Sequence, residues 1–381
     1  MRIGLIDVDG HNWPSIPLMK ISAYHKRRGD DVEEWFPMSH YDKVYMSKVF
    51  TTSQDVETVI YADEIERGST GYFYPDGGPS LPEEIEHIYP DYGLYESTTK
   101  GKAFGFLTRG CPRNCPFCIV SKKEGASAHR VADLSEFWRG QREIKLLDPN
   151  ILACVEREAL LRQLADSGAA VDFTQGLDIR LVEGAEKLIA DIKVKRLHFA
   201  WDNPEQNLRP YFEKFKQKSG LPYWKMGVYV LTNFNSSHEQ DLERVYYLRE
   251  LGYDPYIMIF EKETAPRETR LLQRYVNNKL IFRSCAKFED YDPKRGVNMS
   301  VCKGCGATLE WIDTAAGRSM PVDSEPVFVI EGEGRDRFIT DEGEVIIGRR
   351  ALPEEERREL PVAFVPHWKT CTAADSFRRR Q

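Results

Sequence analysis

Between Lys102 and about Tyr291 the chain repeats one pattern, a short apolar run followed by a helical stretch. The runs are Ala103–Leu107, Ile144–Leu147, Val171–Thr174, Arg196–Trp201, Gly227–Leu231 and Tyr256–Phe260. Glu156–Ser167 and Glu239–Leu251, the latter ending at Gly252, are two of the helical stretches between them. Strands separated by helices do not pair as hairpins; the crossover returns the chain to the same edge, so the strands run parallel. Six strands at this spacing predict an α/β fold built on a partial TIM-like (βα)6 barrel. Polar residues gather just after the runs: Asp148 and Asn150, Gln175 and Asp178, Asp202 and Asn203, Thr232 and Asn233. In βα barrels that edge carries the chemistry.

Two flanking regions break the repeat. Residues 1 to 95 predict a small Rossmann-like domain: strand Arg2–Asp7, a loop through Asp9, Gly10, His11, Asn12, Trp13 and Pro14, helix Leu18–Arg28, and strand Val32–Trp35. Tyr41–Phe50 is broken by charge and reads as a third strand. The Pro-, Gly- and Tyr-rich stretch Tyr72–Tyr95 is expected to be a linker packed on the next domain. After Tyr291 come short segments with turns, acidic runs at Glu331–Asp336 and Glu354–Glu356, and Arg378–Arg380 at the end. The expected domains are therefore 1–95, 96–291 and 292–381. The last is small enough that its apolar core alone is marginal.

Charge and hydropathy narrow the function classes. Charged residues make up 30% and hydrophobic ones 41% of the 381 residues, a globular balance. The net charge of −7 argues against a generally basic nucleic-acid surface, though not against a local patch. No apolar run is long enough to span a bilayer, and the N-terminus reads as a buried strand rather than a signal peptide. The expected compartment is the cytosol, with no membrane partner.

There thiols stay reduced, and closely spaced cysteines point to metal ligation rather than disulfides. Of eight cysteines, Cys111, Cys115 and Cys118 form a C-x3-C-x2-C group directly after the first run. Three thiolates on one loop can hold three irons of a cubane; full ligation takes four cysteines, so one iron stays open to a small molecule. Read without that context, the same residues fit half of a zinc site or free thiols.

This spacing, with Phe117 before the last cysteine and a barrel-like region from Lys102 to Tyr291, resembles the radical S-adenosylmethionine (radical SAM) superfamily. The resemblance implies a 4Fe–4S cluster whose open iron chelates S-adenosylmethionine. One electron, from a donor such as flavodoxin or ferredoxin, then yields methionine and a 5′-deoxyadenosyl radical that abstracts hydrogen from substrate. The Gly-Gly-Glu motif common at the second strand of that family is replaced by Leu147-Asp148-Pro149-Asn150. Asp148 or Asn150 is then the expected acceptor for the methionine ammonium. In Gly176-Leu177-Asp178-Ile179-Arg180, beside Gln175, Arg180 is the candidate clamp for the carboxylate. Asp202 is the candidate ribose ligand, and the backbones of Gly227–Leu231 and Ile257–Phe260 are candidate adenine contacts. For each the competing reading is ordinary hydrogen bonding at the barrel edge.

A Rossmann-like unit before such a barrel is similar to cobalamin-dependent radical SAM enzymes and to methylthiotransferases. Asp9-Gly10-His11 echoes the start of a D-x-H-x-x-G cobalamin signature, but Pro14 stands where its glycine belongs. No cysteine precedes Cys111, so the second cluster of a methylthiotransferase has no ligands. His11 reads as a loop hydrogen-bonder rather than a cobalt ligand. Cobalamin-dependent methylation is kept as an alternative to hydrogen abstraction.

At the far end, Cys302-Lys303-Gly304-Cys305-Gly306 is a C-x2-C knuckle, and His367 and Cys371 supply an H-x3-C pair. Together they form a Cys3His set that resembles a zinc ribbon; an auxiliary iron–sulfur cluster is the alternative. Such a module is expected to grip a nucleic acid or protein, with Trp368 and Arg378–Arg380 as contacts, unless those arginines are simply solvated. Cys154 is expected to open a helix and be packed, and Cys285 to follow a strand-like Leu280–Phe282. The non-enzymatic alternative for the whole chain is a metal-binding nucleic-acid or protein adaptor with an inactive barrel.

Overall fold

The computed structural model of the protein describes residues 1–10, 13–293, 300–314, 317–323, 327–340, 343–352 and 360–374. His11, Asn12, Glu354–Glu356 and Arg378–Arg380 lie outside the described residues. The chain divides into two units, Met1–Asn277 and Asn278–Gln381.

The first unit is mixed α/β with two parallel sheets. The smaller contains Arg2–Asp7, Asp31–Glu34, Tyr41–Ser47 and Ala62–Gly68, in the spatial order second, first, third, fourth. Ile3 and Leu5 pack with Leu18 and Ile21 of the helix Ile16–Arg27, while Ile6, Tyr41, Val44 and Met46 fill the opposite face. Pro17 sits in the helix's first turn, where a missing N–H leaves no bond unmade. The third strand stops at Ser47, short of the expected Phe50, because the buried Asp9 carboxylate draws the N–H groups of Val49 and Phe50 into a loop. Ala62–Gly68 carries no apolar run to reveal it. It is an edge strand, and four of its seven residues are charged.

The larger sheet contains Lys102–Gly105, Glu143–Leu146, Ala170–Phe173, Val194–Ala200, Met226–Thr232 and Asp254–Ile259. All six are parallel and lie side by side in chain order. Each sits within two residues of its expected position. Ile144, Val171, Leu197, Phe199, Val228 and Ile257 are fully buried along one face. Phe199, for example, meets Phe215 and Phe212 of the helix Arg209–Ser219 edge-on, with centroids 5.1 and 6.1 Å apart.

The alternate residues are polar. Lys145 pairs with Asp172, Arg196 with Asp254 at 2.5 Å, and His198 stacks on Tyr229 at 4.8 Å. A sheet with one apolar and one charged face covers the first with helices and leaves the second facing polar surroundings.

The two sheets are joined through Phe104, which is buried with Ile16, Met19 and Leu147 and met edge-on by Trp13 at 5.4 Å. The Pro/Tyr-rich stretch packs there as expected: the Tyr92 hydroxyl accepts from the Phe104 N–H and donates to the Phe137 carbonyl.

The second unit opens with a helix, Lys279–Ser284, where a strand was expected. Asn278 explains it: its side chain accepts from the N–H groups of Leu280 and Ile281, an N-cap that outweighs the three apolar residues. Two small antiparallel sheets follow, Ser300–Val301 with Thr308–Asp313 and Ser319–Asp323, and Val345–Arg350 with Val327–Ile339 and Val362–Ala363. The acidic run Glu331–Asp336 lies within Val327–Ile339, exposed, where the pairing register breaks. No helix among the described residues is long and apolar enough to cross a membrane.

Candidate functional site

Because the six strands are parallel, the residues that follow them share one edge. The cysteine loop leaves the first strand there and is closed by a two-residue antiparallel hairpin, Thr108 opposite Arg130 and Arg109 opposite His129. At Gly110 the backbone has φ +81°, and a Cβ would lie 2.2 Å from the Ser127 carbonyl oxygen, so only glycine fits before Cys111. The Cys111 N–H then donates to the Gly125 carbonyl, and Arg109 pairs with Glu124 at 3.2 Å.

Loops after three other strands touch this one. From the second strand, the buried Asp148 carboxylate accepts from the N–H groups of Leu107 and Thr108 and from the Thr108 hydroxyl, at 2.9, 2.6 and 2.5 Å. It is thereby engaged with the loop backbone. Burial pushes its carboxyl up to about 7 against those donors. Asn150, two residues on, points its Nδ2 at the Cys111 sulfur at 3.7 Å, while its Oδ1 is buried with no hydrogen-bond partner.

From the third strand, Asp178 pairs with Arg113 of the cysteine loop and with Arg180, whose Nε lies 2.8 Å away. Arg180 also donates to Gln206. From the fifth, Phe234 meets Phe117 edge-on at 5.3 Å and continues to Phe260 at 5.0 Å. Gln175 is exposed and makes no hydrogen bond among the described residues.

The electrostatics converge on the same place. Burial pushes the thiols of Cys115 and Cys118 up, and the Asp202 carboxylate and the neighbouring cysteines add to it. Asp202 itself is raised to about 6 by burial, against the opposing charges of Arg244 and Arg180. A thiol in such a setting keeps its proton until a metal cation binds the sulfur and displaces that proton to solvent. Arg113 was not anticipated from sequence; its position inside the cysteine loop was the only signal.

Asp148→Ala would strand two buried N–H groups and is expected to cost about 3 kcal/mol. The melting temperature would fall; an unchanged melting curve would contradict this role.

A second group lies in the Asn278–Gln381 unit. The ligand atoms of Cys302, Cys305, His367 and Cys371 lie within 4.8 Å of one another, a set that could hold a metal ion. Cys302 and Cys371 sulfurs are 3.7 Å apart, and the His367 Nε2 is 3.4 Å from the Cys305 sulfur. The knuckle forms because the Cys302 N–H donates to Ala307 and the Gly306 N–H returns to the Cys302 carbonyl. Backbone N–H groups of Cys305 and Gly304 aimed at the Cys302 sulfur lower its thiol to about 6.

The sequence did not reveal Asp323, whose Oδ1 lies 2.6 Å from His367 Nδ1 and also accepts from Thr370. With Nδ1 carrying the proton toward that carboxylate, Nε2 is left free to bind metal. Asp323→Asn is expected to weaken metal affinity 10- to 100-fold, as read by competition with a chelator. Equal affinity in the two proteins would remove Asp323 from the site.

Cys154 is buried just after the short turn Ile151–Ala153 and does not open a helix; Arg157–Asp166 begins three residues later. Asp9, the first residue of the cobalamin-like echo, accepts from the N–H groups of Val49 and Phe50 and from the Ser53 hydroxyl. No protein-family model matches the chain, and no curated protein matches it in sequence.

Proposed function

We propose that this chain is a cytosolic radical SAM enzyme, with a 4Fe–4S cluster on Cys111, Cys115 and Cys118 at the carboxyl edge of a partial TIM-like barrel. The observation that carries the reading is the convergence on one three-cysteine loop of Asp148, Asn150, Asp178 and Phe234, from three separate strand ends. A loop of free thiols does not call for four anchors. A mononuclear metal would need its thiolates about 3.8 Å apart. Among the described residues the group brought together at such distances is the Cys302 set. A cubane seats each thiolate on its own iron.

The residues present fit that cluster and its cofactor. When bound, the pair supplies one-electron cleavage of the C5′–S bond, giving methionine and a radical that removes a hydrogen atom from substrate, the electron coming from an external one-electron donor. The chain's own groups position it. Asn150 Oδ1 is a buried acceptor suited to an ammonium, Arg180 keeps positive charge beside Cys115 for a carboxylate, and Asp202 is a ribose acceptor. Phe117, Phe234 and Phe260 form a row of edge-on aromatic rings at that edge. In the second unit we assign zinc to the Cys3His set, as a structural ion in a ribbon-like module.

Anaerobic reconstitution with iron and sulfide, then S-adenosylmethionine and dithionite, tests the reading. The expected result is a cubane electron paramagnetic resonance signal that changes on adding S-adenosylmethionine, with formation of 5′-deoxyadenosine. A reduced cubane that leaves S-adenosylmethionine intact would return the chain to the adaptor reading.

A further inference from the structure

We infer that Asn150 controls the reduction potential of the cluster through the Cys111 sulfur, with the same amide presenting its oxygen to the cofactor; this rests on the reading above. The side chain is 2% exposed and its backbone is fixed: its carbonyl accepts from the Ala153 N–H, and the next two residues, Ile151 and Leu152, are buried. The turn therefore grips the cysteine loop at two points, Asp148 on Leu107 and Thr108, and Asn150 on Cys111.

A metal-bound thiolate accepts hydrogen bonds and donates none, so the amide must turn its NH2 group to the sulfur. That fixes which way Oδ1 faces, and Oδ1 is the end that has no partner. A buried acceptor without a donor is costly, so a cationic N–H of a ligand is what this oxygen suits.

The consequence is electronic. Reduction adds negative charge to the cluster and its sulfurs. An N–H donor stabilises that charge more than it stabilises the oxidised form, and so raises the potential. One side chain thus joins the cluster's readiness to accept an electron to occupancy by the molecule that will receive it.

The test uses the full chain, reconstituted. With asparagine labelled by 15N, pulsed electron paramagnetic resonance of the reduced cluster should show a coupled amide nitrogen and an exchangeable proton that D2O removes. Asn150→Leu, similar in shape, should load iron as the wild type does and lose both couplings. Its midpoint potential should move to more negative values, and its affinity for S-adenosylmethionine should fall on the order of tenfold. A wild-type cubane without these couplings overturns the inference alone, even if Asn150→Leu fails to load. A loaded Asn150→Leu with unaltered potential overturns it too. A wild-type protein with no cubane at all removes the reading beneath it.

Discussion

Cys115→Ala is expected to reduce 5′-deoxyadenosine formation to background while leaving the fold of Met1–Asn277 in place. Cys115 lies at the middle of the three-cysteine loop. Its sulfur is half-buried, next to Cys111, Cys118 and Asp202, and its thiol is raised by that burial. Without it only two thiolates remain, and a cubane held at two corners is open to loss of iron and to solvent. The loss is therefore in cofactor loading, not in a rate that a better reductant would restore. Stability should change little, within about 1 kcal/mol, because the loop is held by Asp148, Glu124 and the Thr108–Arg130 hairpin rather than by packing of this side chain. Cys154→Ala is the matched control: a buried cysteine outside the loop, whose replacement should leave iron content unchanged. Iron analysis and product formation on the three proteins decide the matter. Equal yields from wild type and Cys115→Ala would refute the cluster assignment.

Much of this architecture was legible because its signals are local. The six strands of the larger sheet are segments of four to seven residues between helices that carry apolar side chains on one face, and burial of that face under helices demands the pattern. The Cys111–Cys118 loop and the Cys302/Cys305 knuckle are read from spacing alone, since ligands on one turn must be close in sequence. What escaped depends on contacts between distant residues. Asp323 serves His367 across 44 positions, and nothing in its own neighbourhood marks it. Arg113 and Asp178 meet across 65. Asp148 and Asn150 were singled out together, but only the tertiary structure separates them, one committed to the loop backbone and one with an oxygen to offer. Ala62–Gly68 escaped for another reason: an edge strand with a charged surface has no hydrophobic pattern to read.

Removing metal from the second unit is expected to unfold it locally while the six-stranded sheet stays protected. Among the described residues its apolar clusters are small, one of Val327, Val329, Phe338, Ile346 and Ala363, and another of Ile312, Val322 and Ile339. The bound ion would join Cys305 to His367, 62 positions apart, and closing a loop of that length removes about 4 kcal/mol of unfolded-state freedom. Direct ligation adds more, since structural zinc in finger peptides contributes roughly 10–16 kcal/mol in apparent binding energy. Cores of this size do not replace such a contribution. Chelation, or Cys302→Ala, should therefore lower hydrogen-exchange protection in Thr308–Asp313 and Ser319–Asp323 by about a hundredfold or more, equivalent to about 3 kcal/mol. Protection in Val194–Ala200 and Met226–Thr232 should not move, because those strands are buried against their own helices. Metal analysis must accompany the exchange data. If the ion is gone and the two small sheets exchange as slowly as before, the group is not what holds this unit together, and its histidine and three thiols must serve some purpose other than structure.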